Sequence, residues 1–240
     1  MWTPTALASE FRAYAKAVWR VVEAQHRIST NRLTGDMTQQ ARLEELAEAA
    51  KPDLPNAARG RHYLLASPFR YGHKMPSRFR RADERPGIFY ASEHEATAIA
   101  ETAYWRLRFF ARSPTAIPPV TTTEHLSFTV PVKVSHALDL TLRPFDVDVM
   151  KWRDPNDYAA CQALATAARR AGAQLIRSAS ARDIKARANI ALLDPSGFAA
   201  TVPTFRQTWH FRFEQQRLSA IAAFPGGGAF RFEPAQFGLA

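Results

Sequence analysis

Residues 77–101 read SRFRRADERPGIFYASEHEATAIAE and hold the signals on which the fold assignment depends. Four arginines lie in the first nine residues, and Pro86-Gly87 marks a turn after them. The apolar run from Ile88 to Ala91 predicts a short strand that ends near Tyr90. The stretch therefore predicts a basic loop that leads through a turn into a strand.

A helix is predicted directly after this strand. Ser92, followed three residues later by Glu95, has the pattern of a capping box, in which two side chains bond free backbone N–H groups at a helix N-terminus. Glu101 lies inside this helix but outside its expected buried face, which by itself predicts only a solvent-facing residue. The buried face is expected to consist of residues spaced three and four apart: Ala96, Ile99, Ala100, Ala103 and Leu107.

Strands dominate the chain after residue 60. Alternating apolar and polar residues from Leu126 to Val134 predict the clearest half-buried strand. Tyr158 to Arg170 has a helical pattern that ends at Gly172. Because strands and helices do not alternate strictly, the sequence predicts an α+β fold with mostly antiparallel pairing. Further strands are predicted at residues 62–66 (HYLLA), 174–176, 189–193, 209–213 and 218–224.

The N-terminal quarter has a different character. Apolar residues spaced three and four apart predict a helix over residues 5–27: Leu7, Phe11, Tyr14, Val18 and Val22. Gln39 to Ala50 predicts a second helix, and KPDLPNAARG (residues 51–60) reads as a boundary. We therefore expect a helical N-terminal extension over residues 1–58, packed on a catalytic domain over residues 59–240.

The composition limits the cellular setting. The formal net charge is +10, which favours acidic partners such as nucleic acid or phosphorylated ligands. Two basic segments, residues 70–85 and 177–187, either converge on one phosphate-rich ligand or are solvated surface. The single cysteine, Cys161, permits no internal disulfide and fits a reducing compartment. With early charges at Glu10, Arg12 and Lys16 and no run of ~20 apolar residues, a cytoplasmic protein is expected.

Several kinds of site are disfavoured by the sequence. The seven histidines show no HxxxH or Cys/His spacing, so no metal site is expected. The chain contains neither GxGxxG nor GxxxxGK[ST], the glycine-rich motifs of common nucleotide-binding folds. GxSxG is absent as well, and Cys161 lies on the apolar side of its predicted helix, as expected of a core thiol.

Four elements between residues 70 and 101 resemble the pattern of the RES domain, a family named for its arginine, glutamate and serine. They are Arg70-Tyr71, Arg78-Phe79, the Gly87–Ala91 segment (GIFYA), and Ala98–Glu101 (AIAE). Many members of the family have tryptophan where this chain has Phe79. The family serine and the asparagine that opens the next strand look like Ser180 and Asn189 in SARDIKARANIALLDP, although Ser178 is only two residues away. The resemblance covers about residues 62–200.

The resemblance implies a fold like the ADP-ribosyltransferase toxins, a split β-sheet core with a cleft. It implies a toxin that degrades NAD⁺ by phosphorolysis, releasing nicotinamide and ADP-ribose 1″-phosphate, with NAD⁺ and inorganic phosphate as substrates and no prosthetic group. The implied partner is a helix-turn-helix antitoxin of the Xre type. Nucleic acid would be contacted only indirectly, through this antitoxin. Implied catalytic residues are Glu101, Arg78 and Ser180, and implied NAD⁺-binding residues are Arg70, Tyr71, Tyr90, Asn189 and Arg182.

The residue types suit this chemistry. The nicotinamide leaving group is already cationic, so one carboxylate such as Glu101 can suffice, by stabilising the oxocarbenium charge as the bond breaks. Arginines such as Arg70 and Arg78 bind phosphate bidentately. Transfer of ADP-ribose to a protein or to water remains an alternative. In another class, a basic nucleic-acid-binding protein fits the charge, although no known nucleic-acid-binding motif is present.

Overall fold

The structure, a computed structural model, describes residues 2–24, 35–112, 122–214 and 217–239. Eight strands are assigned in this part of the chain. They are β1 (Arg12–Glu23), β2 (Phe89–Ser92), β3 (Thr123–Asp139), β4 (Leu175–Ala179), β5 (Ala188–Leu192), β6 (Thr204–Glu214), β7 (Arg217–Ala222) and β8 (Ala229–Phe232).

Six α-helices surround these strands within the described residues. They are α1 (Pro4–Ala8), α2 (Met37–Ala49), α3 (Tyr63–Arg70), α4 (Glu95–Ala111), α5 (Val149–Trp152) and α6 (Ala159–Ala171). Helix α6 ends, as predicted, at Gly172, which adopts the left-handed conformation with φ 86°. Cys161 of α6 is fully buried, and this burial raises the pKa of its thiol. The predicted core thiol is therefore confirmed.

The strands form one sheet in the order β1-β2-β5-β4-β3-β6-β7-β8, with an additional pairing of β1 with β3. That pairing closes a ring of β1, β2, β5, β4 and β3, from which β6, β7 and β8 extend. Among the described strands only β3 and β4 pair in parallel. The predicted α+β fold with mostly antiparallel pairing is confirmed.

Strand β3 joins the ring to the rest of the sheet. One of its edges pairs with β1 along most of its length, from Glu23↔His125 to Arg12↔Ala137. Its other edge pairs with β6 over residues 123–129 and with β4 over residues 137–139. The two neighbours on this edge are therefore separated along β3.

The predicted helix over residues 5–27 is wrong. Helix α1 is short, residues 12–23 form strand β1, and residues 25–34 lie outside the described residues. Tyr14 and Val18 are spaced by four, which fits a helix face but also one side of a strand, where side chains alternate with period two. The β-branched Val18, Val21 and Val22 favour the strand, and β3 supplies the pairing. Residues 1–58 are therefore not a helical extension, although α2 confirms the second predicted helix.

Two further predictions near the site are corrected. Residues 63–66 begin helix α3, with His62 as its N-cap, instead of forming a strand, because Leu65, Ala66 and Phe69 share one buried helical face. Ser92 is the last residue of β2 and caps no helix, since α4 begins after His94 and has no side-chain cap. The hydroxyl of Ser92 donates instead to Asn189 Oδ1 at 2.7 Å.

The buried side chains lie on both sides of the ring and under α4. One cluster lies between the ring and α6, and a second lies between β1, β3, α3 and β5. The third packs α4 against β6, β7 and β8 through Ile99, Ala103, Leu107, Phe211 and Leu218. Helix α2 has no buried residue. Within the described residues no helix is both long and apolar enough to cross a bilayer.

Candidate active site

A cavity of about 550 Å³ opens between β1 and β2 beside helix α4. It falls within the size range usual for small-ligand pockets. The pocket wall combines guanidinium groups, aromatic rings and one carboxylate. These residues are Arg20, Arg78, Arg80, Arg182, Trp19, Tyr90, Tyr104, Trp105, Tyr158 and Glu101.

Glu101 of α4 is held by two uncharged donors. Ser180 Oγ donates to Glu101 Oε1 at 2.7 Å, and Asn189 Nδ2 donates to the same oxygen at 2.5 Å. No cationic side chain among the described residues forms an ion pair with Glu101. The carboxylate is thus fixed in position while its charge is not neutralised.

Ser180 is a positioning residue. Its hydroxyl oxygen accepts the backbone N–H groups of Arg182 and Asp183, both at 3.0 Å. The hydroxyl hydrogen is therefore directed at Glu101. Ser180 is completely buried, which argues against a nucleophile that must reach a substrate. Ser178 lines the cavity two residues earlier, but it is Ser180 that contacts Glu101.

Asn189 is oriented by strand pairing. Strand β5 lies between β2 and β4, which places Asn189 directly opposite Ser92 and Ser178. Its Oδ1 accepts the Ser92 hydroxyl at 2.7 Å, so its Nδ2 group points to Glu101. Ser92 therefore orients Asn189, whereas the sequence pattern predicted that Ser92 would cap a helix.

Arg78 and Arg182 meet at the ring of Tyr158. The Arg78 guanidinium lies 4.9 Å from the ring centre, and its Nη1 donates to Trp152 O at 2.7 Å. Arg182 donates to the Tyr158 hydroxyl at 3.3 Å and stacks on the Tyr104 ring at 3.5 Å. Neither arginine forms an ion pair with a carboxylate among the described residues, although both charges help to lower the pKa of the nearby Asp154. Both arginines keep unused N–H donors beside the cavity.

Tyr90 supports the loop that carries Arg78. Its hydroxyl lies 2.8 Å from Ser77 Oγ and accepts the Phe79 backbone N–H at 3.1 Å. Burial raises the pKa of Tyr90, which keeps the phenol neutral. Arg80 fixes the same loop by donating to the carbonyls of His73, Met75 and Arg81. These hydrogen bonds tie the loop that places the Arg78 guanidinium beside the cavity.

The two basic segments converge only in part. Arg78 and Arg182, one from each segment, line the same cavity. Arg177 and Arg187 are instead paired with carboxylates. Arg70, at the end of α3, forms an ion pair with Glu48 at 2.6 Å. Neither Arg70 nor Tyr71 lines the cavity, so their contact with a substrate remains a prediction without geometric support.

The described residues contain no group of three or more His, Cys, Asp or Glu side chains close enough to hold a metal ion. Of the histidines that the structure describes, His73 alone lines the cavity. Burial lowers the pKa of His73, and the charge of Arg80 adds to this effect. The charged side chains that line the cavity among the described residues are Arg20, Arg78, Arg80, Arg182 and Glu101.

A family profile decides the classification of the chain. The profile described as the RES domain matches residues 54–214, about two thirds of the 240 residues. The chain belongs to the RES domain family. The RES domain match includes every site residue predicted from the sequence, from Arg70 to Asn189, whereas strand β1 lies before it.

The chain is also similar to a solved structure, the crystal structure of the M. tuberculosis MbcT-MbcA toxin-antitoxin complex. The sequences are 12% identical and the TM-score is 0.48, with coverage of 97% of this chain and 94% of that chain. A similarity at this level carries no conclusion about activity. No curated protein sequence matches the chain significantly.

Arg20 is a cavity residue that the sequence did not reveal, and it lies outside the RES domain match. Strand β1 places its guanidinium 4.7 Å from the centre of the Phe89 ring, and its Nη1 donates to Tyr90 O at 3.1 Å. Burial lowers the pKa of Arg20 to about 10, so the group remains cationic at neutral pH. Because residues 5–27 were predicted as a helix, Arg20 was not expected near Tyr90. The signal that could have found the strand is the group of β-branched residues Val18, Val21 and Val22.

Proposed function

We propose that this RES domain protein degrades NAD⁺ by phosphorolysis, releasing nicotinamide and ADP-ribose 1″-phosphate. The observation that carries the proposal is the carboxylate of Glu101, which forms no ion pair with any described residue, in a cavity whose arginines likewise form no ion pair within the described residues. Such a cavity offers one negative group for a developing cation and several positive groups for phosphates. NAD⁺ combines both needs in one molecule.

The reaction needs few proton transfers. An oxygen of inorganic phosphate forms a bond to the anomeric carbon of the nicotinamide ribose, and the carbon–nitrogen bond breaks. The bonding electron pair goes to the ring nitrogen, which neutralises the pyridinium. Because the leaving group departs as a neutral base, it needs no general acid, unlike the oxygen leaving group of an ordinary glycoside.

Glu101 supports the bond-breaking step. As the carbon–nitrogen bond stretches, positive charge spreads over the ribose. A fixed carboxylate stabilises this transition state more than it stabilises the ground state. Ser180 and Asn189 hold one carboxylate oxygen in place, which leaves Glu101 Oε2 for a ribose hydroxyl. Preorganisation by neutral donors keeps the full charge available.

Arg78 and Arg182 support binding of phosphate groups. Each guanidinium is anchored by a backbone carbonyl and a tyrosine ring, contacts that position the group without cancelling its charge. Guanidinium groups match phosphate oxygens in pairs and stay charged at every physiological pH. Trp105, which lines the cavity and is about half exposed, offers a ring face for the nicotinamide or adenine.

Product analysis tests this function. Purified protein is incubated with NAD⁺, with and without inorganic phosphate, and the products are identified by mass. Phosphate-dependent formation of nicotinamide and ADP-ribose 1″-phosphate is expected. Free ADP-ribose would indicate hydrolysis, and a mass increase on a protein would indicate ADP-ribosyl transfer. Absence of NAD⁺ consumption, together with salt-sensitive DNA binding, would favour the nucleic-acid-binding alternative.

The same proposal includes a toxin held in check by an antitoxin. An enzyme that consumes NAD⁺ in the cytoplasm harms its own cell, so a masking partner is required. We propose a helix-turn-helix antitoxin of the Xre type, whose acidic segment enters the cationic cavity and competes with phosphate groups. Co-expression should restore growth and give a complex stable on gel filtration. Expression of the active chain alone, with normal cellular NAD⁺, would contradict this part.

A further inference from the structure

Strand β1 contributes a guanidinium to the cavity at the point where it separates from β2. The two strands share one register pair, Trp19↔Ser92. At the next residue of β1, Arg20 donates its side-chain N–H to the carbonyl of Tyr90. The Arg20 side chain thus spans the opening between the strands and lines the cavity.

The charge of Arg20 is uncompensated. No carboxylate among the described residues pairs with it, and its one hydrogen bond there uses a single N–H of the five that a guanidinium carries. A partly buried cation without a counter-ion is costly, and an anion that enters the cavity relieves this cost. The remaining N–H groups are available as donors for such an anion.

Arg61 shows what the same side chain looks like when it is purely structural. Its guanidinium also lies over a phenylalanine ring, that of Phe198, at 5.5 Å. It donates, however, to the three backbone carbonyls of Ala57, Phe198 and Ala200. Arg61 does not line the cavity. The comparison isolates access to the cavity as the feature special to Arg20, which also keeps more unused N–H donors than Arg61 does.

We infer that Arg20 binds a phosphate group of the substrates, which makes β1 a working part of the site although it lies outside the RES domain match. The inference rests on the proposed function only for the source of that phosphate. One source is the pyrophosphate of NAD⁺, and the other is the inorganic phosphate that attacks the ribose. Both present the same tetrahedral oxyanion to the guanidinium.

Direct binding provides the first test. Inorganic phosphate and pyrophosphate are titrated separately into the wild-type protein, Arg20→Gln and Arg61→Gln, with calorimetric detection and no NAD⁺ present. The glutamine keeps an N–H donor for the Tyr90 carbonyl and removes the charge. Arg20→Gln should weaken binding of at least one anion about tenfold, the scale of one charged hydrogen-bonding partner. Arg61→Gln should bind as wild type does.

Steady-state kinetics then separate the two phosphate sources. A raised KM for NAD⁺ alone in Arg20→Gln assigns the guanidinium to the pyrophosphate, and a raised KM for inorganic phosphate alone assigns it to the acceptor. If the wild-type protein consumes no NAD⁺, the proposed function fails while the binding result still stands.

Specific outcomes would overturn the inference. Equal binding of both anions by wild type and Arg20→Gln would reduce Arg20 to a strand-bridging residue, as would no binding of either anion by wild type. If Arg20→Gln does not fold, Arg20→Lys replaces it, because lysine keeps the charge but loses the planar fork. Arg20→Lys should bind at least one anion about threefold more weakly, and unchanged binding of both would overturn the inference.

Discussion

Glu93 and Glu101 are eight positions apart in the chain, yet their carboxylates have opposite kinds of partners. Arg177 donates to both oxygens of Glu93, at 2.8 and 3.2 Å, and Lys16 adds an ion pair at 3.1 Å. Glu101 receives only a hydroxyl and an amide. The first carboxylate is neutralised and holds strands together, whereas the second lines the cavity and forms no ion pair with any described residue.

The arginines divide in the same way. Arg177 is paired with Glu93 and Asp139, whereas Arg78 and Arg182 are held by backbone carbonyls and aromatic rings. Position in the sequence does not predict this division, because both kinds of arginine occur in the same basic segment. What separates a structural charge from a functional one here is the identity of the anchoring partner.

The largest expected effect is that of Glu101→Gln on catalysis. The amide keeps the size of the side chain and removes the charge that faces the ribose, so NAD⁺ consumption should fall at least ~100-fold. Turnover is measured by nicotinamide release, and folding by circular dichroism. A folded Glu101→Gln protein with near-normal turnover would remove the distinction between the two glutamates.

Glu93→Gln should change stability instead of catalysis. The amide leaves Arg177 and Lys16 without their shared carboxylate, and the free energy of unfolding should fall by roughly 2 kcal/mol, the scale of a hydrogen bond to a charged group. Denaturant unfolding measures the loss. Glu45→Gln is the matched control, because its ion pair with Arg42 is exposed and should contribute little. A Glu93→Gln protein of normal stability but low turnover would contradict the structural role assigned to Glu93.

Arg78→Lys sharpens the comparison among the arginines. Lysine keeps the positive charge but loses the planar fork, so kcat/KM for NAD⁺ should fall about tenfold. The melting temperature should stay near that of wild type, because Arg78 has no ion pair among the described residues to lose. Arg42→Lys, at an exposed site, controls for the chemistry of the substitution. Equal activity of Arg78→Lys and wild type would place Arg78 with the structural arginines.

The smallest expected effect is a loss of folding stability at acid pH, where the ion pairs of Glu93 weaken. Burial alone would raise the pKa of Glu93, but hydrogen bonds from Arg177 and Lys16 outweigh it and hold the pKa below the usual 4.5. The folded state therefore gains stability that is complete above the unfolded pKa and is lost as the pH falls through the lower folded pKa. Unfolding free energies between pH 6 and 3 should show this loss, and Glu93→Gln should lack that part of it.

The sequence predicted the parts of the site that depend on local pattern. Ile88 to Ala91 and the helix with Glu101 are decided by turn residues and periodicity within a short window. The resemblance added Ser180 and Asn189, 79 and 88 positions after Glu101, which no local rule would connect to it.

Local pattern failed where two structures fit the same spacing. Tyr14, Val18 and Val22 are compatible with a helix face and with one side of a strand, and only the pairing of β1 with β3 decides between them. That pairing joins residues more than a hundred positions apart, so no local pattern reveals it. Because the helix prediction was wrong, the position of Arg20 in the cavity was missed as well. The ion pair of Arg70 with Glu48 was missed because it depends on where α2 packs.

The hydrogen bonds to Glu101 also have a consequence for the timing of synthesis. Asn189 follows Glu101 by 88 positions, and ribosomes add ~5–20 residues per second, so about 4–18 s separate the synthesis of the two residues. For most of this interval the carboxylate has neither Ser180 nor Asn189 to hold it, because Ser180 is made only nine residues before Asn189. An unfinished chain is therefore inert in any reaction that needs the complete cluster, and the antitoxin proposed above would have those seconds to bind it.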